Sequence, residues 1–119
     1  MQINKVQNNV SFGIKVAPHF SKTVQNFYHY GNIPNKRRFI WAFNQKAEKF
    51  AKSGFDDYTM DYDRKFLNRN WVHYIVATND SNPKERIILS KKKSLAKIII
   101  HFMEMNIDEF TKIMKSKKS

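Results

Sequence analysis

The stretch Tyr58-Thr59-Met60-Asp61-Tyr62-Asp63-Arg64-Lys65-Phe66 alternates bulky with polar side chains, and after Asn68 and Asn70 the chain reads Trp71-Val72-His73-Tyr74-Ile75-Val76-Ala77-Thr78. A period of two puts Tyr58, Met60, Tyr62 and Phe66 on one face and Thr59, Asp61, Asp63 and Lys65 on the other, a sorting that only a strand achieves. The second run is apolar on both faces and rich in β-formers, which predicts a central strand covered on both sides. Arg86 to Ser90 predicts a short strand that returns antiparallel after the polar loop Asn79 to Lys84, which holds Pro83. The three form a meander, and the rest of the chain must supply its cover.

Helices are predicted on both sides of the meander. After Pro34, the residues Phe39, Ile40, Phe43, Ala47, Phe50 and Ala51 recur as one helical stripe, with Gly54 placed as a left-handed terminator. Before it, Phe20, Val24, Phe27 and Tyr28 predict a shorter helix between Pro18 and Gly31. Val10, Phe12, Ile14 and Val16 alternate as a first strand, and residues 1–9, rich in Asn and Gln, read as a loose leader. Downstream, Leu95, Ile98, Ile99, Phe102 and Met105 predict a helix whose far side carries Ile100 and Met103. A last helix from Asp108, with Phe110, Ile113 and Met114, is the natural cover for that side; without it, Ile100 and Met103 would form a homodimer face. The order β-α-α-β-β-β-α-α predicts one α+β domain over residues 10–119, an antiparallel sheet packed with three to four helices.

Composition narrows the function classes. The chain has 119 residues, 41% of them hydrophobic, and ten Phe, five Tyr and two Trp, enough for one packed core. It has no cysteine, which excludes disulfides, thiolate nucleophiles and Cys-based metal sites. No run approaches the ~20 apolar residues of a membrane span and the N-terminus lacks a secretory apolar core, so a soluble, cytoplasmic protein is expected. Three glycines leave no phosphate-cradling loop, and His19, His29, His73 and His101 lack zinc-site spacing, so neither cofactor nor metal is expected. Against 10 Asp+Glu stand 22 Lys+Arg, a formal charge of +12 that favours nucleic acid or an acidic protein surface as partner.

Two clusters could meet such a partner. Helical projection of the Pro34 to Ser53 segment gathers Arg37, Arg38, Gln45 and Lys52 around Trp41, nearly opposite Phe43, and an outward Trp beside guanidinium groups is a surface on which unstacked bases can stack. Lys91, Lys92 and Lys93, at a strand-to-helix junction, are placed to neutralise two or three phosphates. The leading expectation is a non-enzymatic nucleic-acid-binding module, RNA ahead of DNA, that uses Arg37, Arg38, Trp41, Lys52, Lys91, Lys92 and Lys93. The enzymatic alternative is a small endoribonuclease with His73 as general base near Tyr62 or Arg64 across the meander. The third is a protein-interaction or dimerisation domain. Asp61, Asp63 and Lys65, after Asp56 and Asp57, are similar to the end of the PD-(D/E)xK nuclease motif, but the Pro-Asp half is missing, and they read as a solvent-facing strand side with a local salt bridge.

The order strand, helix, helix, three strands, helix over roughly residues 10–105 resembles that of the bacterial toxin ribonucleases of the RelE/ParE class. Those enzymes work with arginines, lysines and a tyrosine or histidine on the sheet, so the likeness implies an endoribonuclease without assigning a residue. Asn35 to Asn106, with Ser90-Lys91-Lys92-Lys93 leading into a helix, is also similar to a double-stranded RNA-binding domain, which implies phosphate contacts at that helix start.

Overall fold

The alternating run from Tyr58 belongs to a long strand, β2 (Gly54–Leu67), which pairs antiparallel with β3 (Asn70–Asn79) in unbroken register from Tyr58↔Asn79 to Leu67↔Asn70. The computed structural model describes residues 13–31 and 34–118; the expected leader, and Val10 and Phe12 of the expected first strand, lie outside them. The loop joining β2 to β3 is Asn68-Arg69, with φ of 50° and 67°. A loop with two left-handed residues matches the twist of its flanking strands, a conformation that Asn accepts readily and Arg does not.

The meander continues into β4 (Asn82–Lys92), with the Ser81 N–H donating to Asn79 Oδ1 at 2.9 Å in the turn. This strand is longer than the expected Arg86 to Ser90. Pro83 is tolerated because β4 is an edge strand, and Lys91 and Lys92 continue the ladder opposite Tyr74 and His73. β1 (Gly13–Val16) lies on the other edge, in the order β1-β2-β3-β4, and pairs parallel with β2. The expected antiparallel sheet is thus mixed. α1 (Pro18–Tyr30) and α2 (Lys36–Phe50) lie between β1 and β2 and carry the chain back to the same end, as a parallel pair requires. Glycine is needed at position 13 because a Cβ there would stand 2.5 Å from the Phe50 carbonyl oxygen, where the end of α2 meets β1.

The inner face of the sheet contributes Ile14, Met60, Ile75 and Leu89 to a core closed by the helices, including α3 (Leu95–Glu104) and α4 (Ile107–Lys118). Phe102 is central to it, with ring centroids 5.2 Å from Phe20, 4.8 Å from Phe43 and 5.4 Å from Phe50. β3 is buried on both faces, as its sequence predicts: Ile75 and Ala77 lie in the core, while Tyr74 and Val76 are buried outside that cluster. α4 brings Phe110 and Met114 into the core; Met103 is half-buried against it and Ile100 is exposed. No helix among the described residues is long and apolar enough to cross a membrane.

Candidate nucleic-acid interface

The β2–β3 hairpin carries the inner face of the sheet past its buried part. Tyr62 and His73 are still buried, but beyond them Arg64, Phe66 and Trp71, whose cross-strand pairings put them on that same face, are exposed. Phe66 retains 59% and Trp71 46% of its accessible surface, unusual values for paired aromatics in a sheet. Register fixes their geometry. Phe66 opposes Trp71 with ring centroids 5.2 Å apart, and the Arg64 guanidinium lies 4.4 Å from the Trp71 ring centroid. A cation over an exposed indole contributes about 0.5–1 kcal/mol, enough to bias Arg64 toward the ring without neutralising it.

His73 opposes Arg64 on one side and Lys92 on the other. Lys92 reaches this face through a bulge: Val76 pairs with Ile88 but Ile75 with Ser90, so Leu89 is the extra residue. Strict alternation from Ile87 would have put Lys92 on the opposite face; the bulge reverses the parity and brings it level with His73. Lys91, opposite Tyr74, faces away. Two of the three lysines are therefore strand residues, and the expected junction begins only at Lys93. Among the described residues no carboxylate pairs with the side chains of Arg64, Lys91, Lys92 or Lys93.

A groove of about 770 Å³ runs between the hairpin end and the start of α3, lined by Trp71, His73, Lys91, Lys92, Lys93 and Leu95 among others. It adjoins at Leu95 a hollow of about 370 Å³ lined by His19, Asn26, Tyr62 and Arg64, and at Lys92 one of about 200 Å³ with Lys97 and His101. Inside this system Tyr62 Oη lies 2.6 Å from His73 Nδ1, a diagonal contact one pair removed from the direct partners. Burial, with the Arg64 charge adding to it, holds the His73 imidazole below its ordinary pKa, and burial raises that of the Tyr62 phenol. Both groups are therefore neutral near pH 7.

The second predicted cluster stands elsewhere. Arg37, Arg38, Trp41, Gln45 and Lys52 are all exposed, Trp41 at 63%, so the outward projection of the indole holds. α2 packs on α1 and β1, at the sheet edge away from β4, and none of these five residues lines a cavity shared with Lys91–Lys93. The structure does not bring the seven predicted residues together. Asp61 and Asp63 are engaged by other partners, His19 at 3.0 Å and Arg86 at 3.0 Å, so the Asp-x-Lys spacing belongs to a paired strand side.

Phe66 and Trp71 were absent from the expected site, although the sequence held a signal for them. A two-residue Asn68-Arg69 loop fixes the pairs 66↔71 and 64↔73 by counting alone. Comparison of the chain with family models, with curated proteins and with solved structures gives no match.

Proposed function

We propose that the exposed end of the β2–β3 hairpin, with the groove beside it, binds single-stranded nucleic acid, RNA ahead of DNA. The observation that carries this reading is the platform of Arg64, Phe66 and Trp71 bordered by Lys91, Lys92 and Lys93, aromatic faces next to cations without carboxylate partners. Unstacked bases have exposed π-faces that such rings accept, while bases inside a duplex do not, so the chemistry selects single strands. Asn68, Asn70 and His73 add polar groups to the groove that suit a ribose 2′-hydroxyl. The net charge of +12 adds attraction at long range and no selectivity.

The test is anisotropy of labelled single-stranded RNA, duplex RNA and single-stranded DNA with protein freed of bound nucleic acid. Loss of one stacking ring costs about 1–3 kcal/mol, so Trp71→Ala should weaken single-stranded RNA binding by about tenfold or more at physiological salt. Equal affinity of Trp71→Ala and wild type, or a preference for duplex, would remove the platform from the function.

A further inference from the structure

Of the four histidines, His73 combines burial, a short side-chain hydrogen bond and a place in the groove wall. Its Nδ1 is engaged by Tyr62, and Nε2 has no partner among the described residues. When Nδ1 carries the proton and donates it to Tyr62 Oη, Nε2 is the free acceptor, and the lowered pKa keeps the ring in a proton-accepting state at neutral pH. Cross-strand pairing then opposes His73 to a cationic residue on each neighbouring strand, Arg64 on β2 and Lys92 on β4, the second brought to this face by the bulge at Leu89. A neutral base between two cation-bearing strand neighbours, beside a single-strand platform, suits transfer within an RNA phosphodiester.

We propose that this groove cleaves single-stranded RNA, with His73 accepting the proton of the ribose 2′-hydroxyl; the proposal rests on the single-strand-binding reading. The 2′-oxygen forms a bond to phosphorus as its proton passes to His73. Arg64 and Lys92 stabilise the extra negative charge on the phosphoryl oxygens. The bond from phosphorus to the 5′-oxygen breaks, and the Lys92 ammonium gives that oxygen its proton. The products are a 2′,3′-cyclic phosphate and a 5′-hydroxyl, and solvent returns His73 and Lys92 to their starting states. Atoms balance with no co-reactant. Strands without the 2′-hydroxyl, DNA and 2′-O-methyl RNA, lack the nucleophile and are bound without being cut.

The experiment incubates stripped wild-type protein, in chelator, with a 5′-labelled single-stranded oligoribonucleotide and with its 2′-O-methyl counterpart, and measures affinity and products together. The expected result is fragments ending in 2′,3′-cyclic phosphate from the first, and intact strand bound within about threefold of the same affinity from the second. Removal of a general base costs about 10²–10⁴ in rate, so His73→Gln should lose that factor at saturating RNA while its Kd stays within a few fold. RNA that is bound and left whole overturns cleavage and leaves binding standing; fragments carrying a 5′-phosphate overturn the 2′-hydroxyl transfer, and His73→Gln cutting as fast as wild type overturns His73 as the base. Failure to bind either oligonucleotide overturns both readings. If His73→Gln does not fold, Lys92→Gln and the 2′-O-methyl strand decide: loss of cutting with Lys92→Gln supports the step, and unchanged cutting, or a cut 2′-O-methyl strand, refutes it.

Discussion

The N-terminal half of α2 and the end of the β2–β3 hairpin offer the same chemistry, guanidinium groups beside an exposed indole, and they differ in what holds that chemistry in place. On α2, Arg37 and Arg38 precede Trp41 by one helical turn on a convex surface, and Trp41 has no ring or cation neighbour among the described residues. On the hairpin, Trp71 is held by Phe66 across the strand and by Arg64 over its face, beside a groove whose other wall carries lysines. Three flexible side chains on a helix must each lose rotamer freedom when a ligand arrives; the hairpin has already spent part of that entropy on folding. Residue type alone ranks the two surfaces equal, and preorganisation separates them.

The largest effect should appear when the two indoles are exchanged as targets. Trp71→Ala is expected to weaken single-stranded RNA binding about tenfold or more, and Trp41→Ala by less than about twofold, because only the first removes a supported stacking ring. The reverse ranking would move the interface to α2 and make the hairpin platform incidental.

Charge sharpens the same contrast. Each single-strand phosphate contact contributes about 0.7 to the slope of log affinity against log salt, so Lys91→Gln/Lys92→Gln/Lys93→Gln should flatten that slope by about 2. Arg37→Gln/Arg38→Gln should leave the slope within experimental error. Since Lys91 faces away from Lys92 in the ladder, a smaller change confined to Lys92→Gln and Lys93→Gln would show that the strand stays on the inner side of β4.

Much of the fold was readable because periodicity and burial agree. The two-residue alternation of β2 and the doubly apolar run of β3 form as read, and Phe43 and Phe50 point inward from the stripe that defines α2. Phe39 departs from that stripe: its ring stacks on the core residue Tyr28 at 5.0 Å and stays partly exposed. The direction of β1 was not readable, because strand pairing depends on where two intervening helices deliver the chain. The site was readable in part. Tyr62, Arg64 and His73 were named together without a register, and the bulge that turns Lys92 inward has no mark in the sequence, since Leu89 is an ordinary strand residue.

Acid should act on the hairpin through His73. Its folded pKa lies below the ordinary imidazole value, so the unfolded chain takes up the proton first as pH falls. The associated stability is complete above the unfolded pKa of about 6.5 and is lost as pH drops from there toward the folded value. Urea unfolding of wild type and His73→Gln between pH 7.5 and about 5 should therefore show the wild type losing more stability than the variant; parallel curves would mean that burial does not disfavour the imidazolium.

The smallest expected change is at the loop that sets the register. Arg69 adopts φ of 67°, a region that costs an L-residue roughly 1–2 kcal/mol and glycine nothing, while glycine gives back part of that gain in chain entropy. Arg69→Gly should therefore stabilise the fold by about 0.5–1 kcal/mol in urea titration. Arg69 stands next to the platform without lining its groove, so the affinity of Trp71 and its neighbours for single strands should hold within about twofold. A stabilised loop with lost binding would instead make Arg69 a contact residue and extend the interface over the hairpin tip. Unchanged binding with higher stability would show that the platform depends on pairing between Phe66 and Trp71, which the loop only has to permit.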